Sequence, residues 1–423
     1  MRTCLAMLAL SLLALTVRAE TPEHRPGLDL HQAVIKVLEH NPQLKAADYT
    51  ARAMAARMQA ARQTKPLHLK LELQNFSGSG IYRGSESLET TLSLAKVMEG
   101  GDKPQLRGDV AQQEGHLLRS EQDAQRLDVL AETTRRFIHV VVDQQRHLIA
   151  EQKLALMQDT RRTVARRVQA GGSPVVETRR AGIAVARAEL ELEHAEHELA
   201  SSRLHLSSLW GDTTPSFGRA QAELFNLPRV GDFTRLAALL ARNPDITRFA
   251  NRERLAEARL HLARAQAQAD IEFGVGVRNM RRSDDHALVF SASLPLGTRQ
   301  RAAPAIEAAT LYQQQEGLEL QQRQLELHAS LFEIYQELLH AQTAFTSLQQ
   351  QIIPEAEKIL HAYDAGYQAG RYSLFELSEA QATLLKARLE AVMAAASYHQ
   401  YQIEIERLTG SALAGVLPTG DSQ

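Results

Sequence analysis

Two stretches of this chain carry one plan, about 200 residues apart. Asn41-Pro42 recurs as Asn243-Pro244, and Leu69-Lys70-Leu71-Glu72-Leu73 falls on Ile271-Glu272-Phe273-Gly274-Val275, both 202 residues later. Further along the offset becomes 199: Gln169-Ala170-Gly171 recurs as Gln368-Ala369-Gly370, Glu177 as Glu376, and Trp210-Gly211 as Thr409-Gly410. Repeats of about 20–50 residues build solenoids, whereas one long period duplicates a whole structural half. Repeat one covers about 28–212 and repeat two about 230–411. Each half reads helix, two alternating strands, one very long helix, a glycine-containing turn and a long returning helix.

The first 19 residues stand apart from this plan. Arg2 begins them, residues 4–17 are apolar, and Val17-Arg18-Ala19 puts small residues at −3 and −1 before Glu20. That is the pattern of a cleaved signal peptide at 1–19, and the apolar run is short of the ~20 residues a spanning helix needs. Cys4, the only cysteine, leaves with it, so the mature chain has no thiol and no disulfide. Of 48 Lys and Arg, Arg2 and Arg18 leave as well, so 46 bases face 50 Asp and Glu, a net charge of −4. No nucleic-acid partner follows from that balance. No later stretch reaches 18 consecutive apolar residues. A mature chain of this kind crosses a lipid bilayer only as a closed β-barrel, since lipid offers no partner to open backbone groups.

The strands have the pattern a barrel needs. Asp29 is the expected N-cap of a first short helix at 29–39, and Asn41-Pro42 opens a second that runs to about Lys65, where Pro66 stops it. Leu67, Leu69, Leu71 and Leu73 then alternate with His68, Lys70, Glu72 and Gln74, and a return strand at about Ser87–Val97 sets Leu88, Thr90, Leu92 and Leu94 on one face. The second half repeats this with Ile271, Phe273, Val275 and Val277, a loop at 279–285, and then Leu288, Phe290, Ala292 and Leu294. Strands are expected at about 67–97 and 270–296. Each has the length of a tilted membrane strand, about 9–11 residues. A lone hairpin is marginal in water, and four strands are too few for a barrel, whose minimum is about eight. Several chains must therefore pool their strands, and three copies give twelve.

The helices are far longer than globular ones. Residues 104–169 contain no glycine except Gly108 and Gly115 and no proline after Pro104, which at ~1.5 Å per residue is roughly 100 Å of helix. The matching stretch, about 303–367, carries the seven-residue row Leu318, Leu325, Phe332, Leu339, Thr346, Ile353, Leu360, Tyr367, and a second row Gln321, His328, Tyr335, Gln342, Gln349, Ala356, Tyr363. The first half has Leu127, Thr134, Val141, Leu148 and Ala155 at the same spacing. Such rows predict left-handed supercoiling against neighbouring helices, with a bend at Pro354, which cannot donate its helical hydrogen bond. Returning helices are expected at about 174–209 and 374–409. Stacked on the short helices at 42–65 and 244–269, they match the long ones in height. The helical part thus covers about 104–209 and 301–409.

With these features the whole mature chain resembles the TolC family of outer-membrane efflux factors. Leu71-Glu72-Leu73-Gln74-Asn75-Phe76-Ser77-Gly78-Ser79-Gly80, then Glu99-Gly100-Gly101, Lys103 and Arg107, are similar to its heavy-metal (cobalt–zinc–cadmium) branch. That branch usually reads Glu-Leu-Gly-Gly-Lys-Arg where this chain has Met98-Glu99-Gly100-Gly101-Asp102-Lys103-Pro104. The resemblance implies a mainly α fold with a small β part, trimeric, with a twelve-stranded outer-membrane barrel on a helical tunnel through the periplasm of a Gram-negative bacterium. It implies a passive duct, not an enzyme, with no cofactor. Its partners would be outer-membrane lipid, a periplasmic adaptor (membrane fusion protein) and an inner-membrane RND-type pump. Gly171, Ser173 and Val175 in one turn and Gly370, Ser373 and Leu374 in the other match the family's adaptor-docking tips. Glu376, Glu379 and Glu177 occupy the places of acids that narrow the periplasmic gate, and Tyr367 that of a gate tyrosine. The basic gate partner expected two residues after Gly370 is Tyr372 here, with Arg371 beside it.

Other chemistries leave weaker traces. His194 and His197, with Glu193 and Glu196, form a candidate surface ligand pair, but there is no HExxH and no Cys ligand. Arg161, Arg162, Arg166 and Arg167 form a basic cluster near the first turn, read as a solvated face. A periplasmic coiled-coil adaptor would have one helical hairpin in a strand-rich domain rather than two hairpins with few strands. A secreted coiled-coil protein would not need membrane-length strands. Within the duct reading, drugs or other small molecules are the alternative cargo to heavy-metal cations.

Overall fold

The structure, a computed structural model, describes residues 27–410; the expected signal peptide lies outside them. Helix α1 (Leu30–His40) starts with a reciprocal cap: the Asp29 carboxylate accepts the Gln32 N–H at 2.7 Å and the Gln32 side chain accepts the Asp29 N–H at 3.2 Å. The repeated Asn-Pro has a structural cause. Asn41 caps α2 (Pro42–Ala61) and its amide donates to the Leu209 carbonyl, while Asn243 caps α6 (Pro244–Gln266) and donates to the Leu408 carbonyl. Each asparagine thereby seats a short helix on the end of the returning helix of its own half, α4 (Val175–Ser207) or α9 (Leu374–Thr409). The expected end of α2 at Lys65 is corrected to Ala61. There Arg107 takes the carbonyls of Ala61 and Gln63 at 3.3 and 2.9 Å, which draws the chain out of the helix before Pro66.

Strands β1 (Leu67–Gln74), β2 (Glu89–Met98), β3 (Ile271–Met280) and β4 (Asp285–Ser293) form one antiparallel sheet in the order β1-β2-β3-β4. The pairing of β2 with β3 joins the two halves. Directly opposed residues of an antiparallel pair share a face, so the register builds two apolar rows. Leu69, Leu94, Val275 and Phe290 form one, and Leu71, Leu92, Val277 and Leu288 the other. All eight are between 44% and 77% exposed. The opposite face is polar: Arg278 reaches Thr91 at 3.0 Å and Glu89 at 3.1 Å. The return strand starts at Glu89, leaving Leu88 in the turn. β3 runs on to Met280, so the second loop shrinks to 281–284. Among the described residues the outer edges of β1 and β4 have no strand partner.

Helix α3 (Lys103–Gln169) is unbroken for 67 residues. It packs on α2 and α6 towards the sheet and on α4 and α9 away from it, and α7 (Thr298–Ser347) adjoins α6 and α9. The helices thus form a wall four across at either height, with α5 (Phe233–Leu239) laid against α7 and α9. The main core lies at mid-height, where Phe137, Val141, Leu206, Val392 and Ala395 pack with Phe217 and Leu224 of the connecting segment. Helix α7 begins at Thr298, before the expected start near 303, so Pro304 lies in its second turn.

The heptad rows are corrected by the packing. Leu318, Leu325, Phe332 and Leu339 are 69%, 67%, 49% and 38% exposed, while Leu327, Leu331, Leu338, Ala341 and Leu348 form the buried seam. A π-helical turn, Leu348–Ile352, then precedes α8 (Ile353–Gln368) and Pro354. Its one extra residue shifts the helix phase by about 100°, and the same row turns inward until Tyr367 is only 1% exposed. The bend expected at Pro354 is this wide turn, which lies one turn before the residue that cannot donate. In α3 the matching row is mixed, with Thr134 and Val141 buried and Leu148 exposed.

Candidate functional site

At the end away from the sheet, two turns with the same backbone close the helical hairpins. Gly171 at φ 74° and Gly370 at φ 77° take the left-handed conformation that ends a helix without strain. Their N–H groups donate to Val168 and Tyr367 carbonyls at 3.0 Å, and the next N–H groups, of Gly172 and Arg371, to Arg167 and Gly366 carbonyls. The returning helices start differently. Pro174 precedes α4 with no side-chain cap, whereas Ser373 and Glu376 form a capping box at the start of α9.

That box decides what Glu376 can do. Its carboxylate accepts the Ser373 N–H at 2.8 Å and hydroxyl at 2.9 Å, and these bonds hold it below the usual carboxylate range. Glu379, one turn on, is exposed. Glu177 accepts the Tyr367 hydroxyl at 3.3 Å. Burial first, then the Glu177 charge, push the Tyr367 phenol up. The structure therefore brings Glu177 and Tyr367 together and leaves Glu376 at its own helix start. Arg371 is exposed, and Tyr372, at the place expected for a basic partner, packs on Tyr363 at 4.7 Å between ring centres.

The residue that sequence reasoning missed is Arg167. Its guanidinium lies 4.3 Å from the Tyr367 ring centre, donates to the Tyr367 carbonyl, and donates to the Gly172 carbonyl at 3.2 Å. One side chain thus ties both turns. Its only trace in the sequence was membership of a basic cluster. Among the tip residues, Val175 is 68% exposed and Leu374 is turned inward at 6%, onto Val164, Ala181 and Leu377. Val176 and Phe375, which the motif comparison did not single out, are exposed instead, at 54% and 71%. Gly171, Gly370 and Ser373 lie at the outer surface, and Ser173 is half-buried.

The other motif, Glu99-Gly100-Gly101 with Lys103 and Arg107, sits where sheet meets helices. Arg107 grips Glu99, whose carboxylate the Arg107 hydrogen bond holds down in pKa. Lys103 and Lys65 both reach Asp270, one residue before β3, at 2.5 and 2.8 Å. Burial alone would raise the Asp270 carboxyl, but these bonds and the Gly100 N–H outweigh it and bring it to about 2. The motif braces the first half against the second. His197 pairs with Glu193 at 3.6 Å, and His194 lines a separate groove between α3, α4 and α9. Among the described residues no three candidate ligands converge on one point.

Known proteins share this architecture. The sequence profile described as Outer membrane efflux protein matches residues 34–212 and 236–411. The chain is 26% identical over 324 residues to the cobalt-zinc-cadmium resistance protein CzcC of Cupriavidus metallidurans, covering 76% of this chain and 77% of that one. Its fold is similar to that of CusC, with a TM-score of 0.75 at 17% identity over 90% of this chain and 91% of that one. It is also similar to the outer membrane protein VceC of Vibrio cholerae, with a TM-score of 0.73 at 18% identity, covering 90% and 96%. An apolar-faced sheet on a wall of long helices, matched by that profile over both halves, makes this chain a member of the outer membrane efflux protein family, passive channels of the outer membrane that extend into the periplasm.

Proposed function

We propose that this protein is the exit duct of a tripartite efflux system, a homotrimer that conducts heavy-metal cations received from an RND-type inner-membrane pump and a periplasmic adaptor. The observation that carries this reading is the sheet, apolar on one face, polar on the other and open at both edges. In lipid such edges need strand partners, and two further copies supply them around a closed ring. The helical wall has free apolar borders at two heights, near the turns on α4 and nearer the sheet on α7. Val176, Ile183 and Leu190 on α4, at 54%, 57% and 68% exposure, form one seven-residue row, and Leu318, Leu325, Phe332 and Leu339 on α7 form the other. Two apolar rows on opposite borders suit neighbouring copies of a supercoiled tunnel.

The tips serve as docking points and gate. Gly171, Ser173 and Val175, with Gly370, Ser373 and Leu374, shape the two turns that meet the adaptor. Glu177, Tyr367 and Arg167 hold the two hairpins of a protomer together, and Glu379 presents the free carboxylate near the entrance. A ring of such carboxylates favours cations by its local field. The metal cargo is supported by the likeness to the cobalt-zinc-cadmium resistance protein. Deletion of the gene should sensitise cells to cobalt, zinc or cadmium, and the purified protein should migrate as a heat-resistant trimer from the outer-membrane fraction. Sensitivity to dyes and detergents with unchanged metal tolerance would favour the small-molecule duct. A monomer in the soluble fraction would end the duct reading.

A further inference from the structure

The two helical hairpins share a backbone but not a charge. Residues 158–187 around the first turn contain seven arginines and two carboxylates, whereas residues 357–386 around the second contain three Lys and Arg and four carboxylates. At the 199-residue offset, Arg161, Arg162, Arg166, Arg179 and Arg180 correspond to Leu360, His361, Ala365, Ser378 and Glu379. The second hairpin makes the same turn without them, so folding of the turn does not require these arginines. All five are exposed. Arg162 pairs with Asp159 at 3.1 Å and Arg166 donates to Thr163 at 3.1 Å. Among the described residues Arg161, Arg179 and Arg180 have no carboxylate within 4.0 Å. All lie within about 15 Å of the turn along their helices.

A hollow of about 110 Å³ adjoins this cluster, lined by Arg180, Met157, Ala184, Phe375 and Gln381. Gln381 is 3% exposed; its amide N–H donates to Thr160 at 2.8 Å, but its carbonyl oxygen is buried with no hydrogen-bond partner. A buried acceptor without a donor is costly to leave unmet. The hollow gives one partner side chain a place to lodge, beside a surface that suits carboxylates.

We propose that the α3–α4 turn is the primary docking surface for a helical-hairpin protein partner with an acidic tip, and that the arginines, not the shared glycine turn, select it. This rests on the adaptor reading above and adds the partner's charge and the choice of one hairpin over the other. Charge pairs at the rim of an interface act on association rate and salt dependence. The second turn, bearing Glu376 and Glu379, would repel the same partner.

The test uses the full-length mature trimer in lipid nanodiscs and two synthetic helical hairpins, identical except for glutamates or lysines at the tip. The expected result is binding of the acidic hairpin, weakened about tenfold or more between about 50 and about 300 mM salt, with no binding of the lysine hairpin. The R161E/R162E/R166E variant should reverse that preference, with trimer melting and single-channel conductance unchanged. Equal binding of both hairpins, or an unaltered preference in the variant, overturns the proposal. A variant whose trimer falls apart also overturns it, since the arginines would then belong to the seam between copies. A conducting wild-type pore that ignores both hairpins overturns the docking surface and leaves the duct standing.

Discussion

Arg167 meets three groups with one guanidinium: two carbonyls, one from each turn, and the face of the Tyr367 ring. Such bonds from a charged donor contribute about 1–2 kcal/mol when partly exposed. Arg167→Met should therefore loosen the hairpins against each other and raise the conductance of the pore in planar bilayers, while Arg167→Lys, which keeps the charge but loses the fork, should fall between. Unchanged currents in Arg167→Met would remove this residue from the gate. At the other end of α3, Asp270 titrates near 2 instead of its ordinary 3.8. A lowered carboxylate stabilises the fold above its unfolded value and loses that contribution as pH falls from about 4 to about 2. Asp270→Asn should cost about 1 kcal/mol at pH 7 after solvent screening and flatten the fall in melting temperature over that acid range, read by circular dichroism. The lysines and the aspartate were plain in the sequence, but their meeting was not, since Lys65 and Asp270 are 205 residues apart.

At the scale of the element, the π-helical turn at Leu348–Ile352 sets the phase of everything below it. Above it the buried seam runs through Leu327, Leu331, Leu338, Ala341 and Leu348, and below it through Ala356 and Tyr367. Inserting one alanine after Gln350, an exposed residue of that turn, would add a residue beyond the one the wide turn absorbs and rotate α8 by about 100°. Tyr367 would leave its pocket beside Glu177 and Arg167. The expected outcome is a trimer that still assembles its barrel but shows a raised, noisy conductance and faster protease cleavage near residue 370. An insertion variant indistinguishable from the parent would mean the phase is set elsewhere. The strands were legible because period two is unmistakable in Leu67 to Leu73. The seam of α7 was not, because that helix is apolar on two sides and periodicity alone does not say which side faces its own chain.

For the whole molecule, the two exposed rows on α4 and α7 distinguish a lone protomer from an assembly. Leu318 and Leu325 are 69% and 67% exposed. On a free surface, replacing them costs within about 0.5 kcal/mol, whereas in a seam between copies each buried leucine contributes roughly 1.5–3 kcal/mol. Leu318→Asp with Leu325→Asp should therefore leave the helical signal of the protomer intact and lower the temperature at which the trimer dissociates on a gel. Equal dissociation temperatures for parent and variant would place the seam elsewhere.

What the sequence determined by itself was local: where alternation changes from period two to the helical period, where Asn-Pro and Gly end one element and begin the next, and that the plan occurs twice. These are written in neighbouring residues, whose backbone and side chains interact whatever the rest of the chain does. The tertiary structure alone decided that β2 lies beside β3, that Arg167 rather than a residue after Gly370 meets Tyr367, and that Leu374 turns inward while Phe375 turns out. Each of those depends on the distance between groups far apart in the chain, and packing, not spacing, sets that distance.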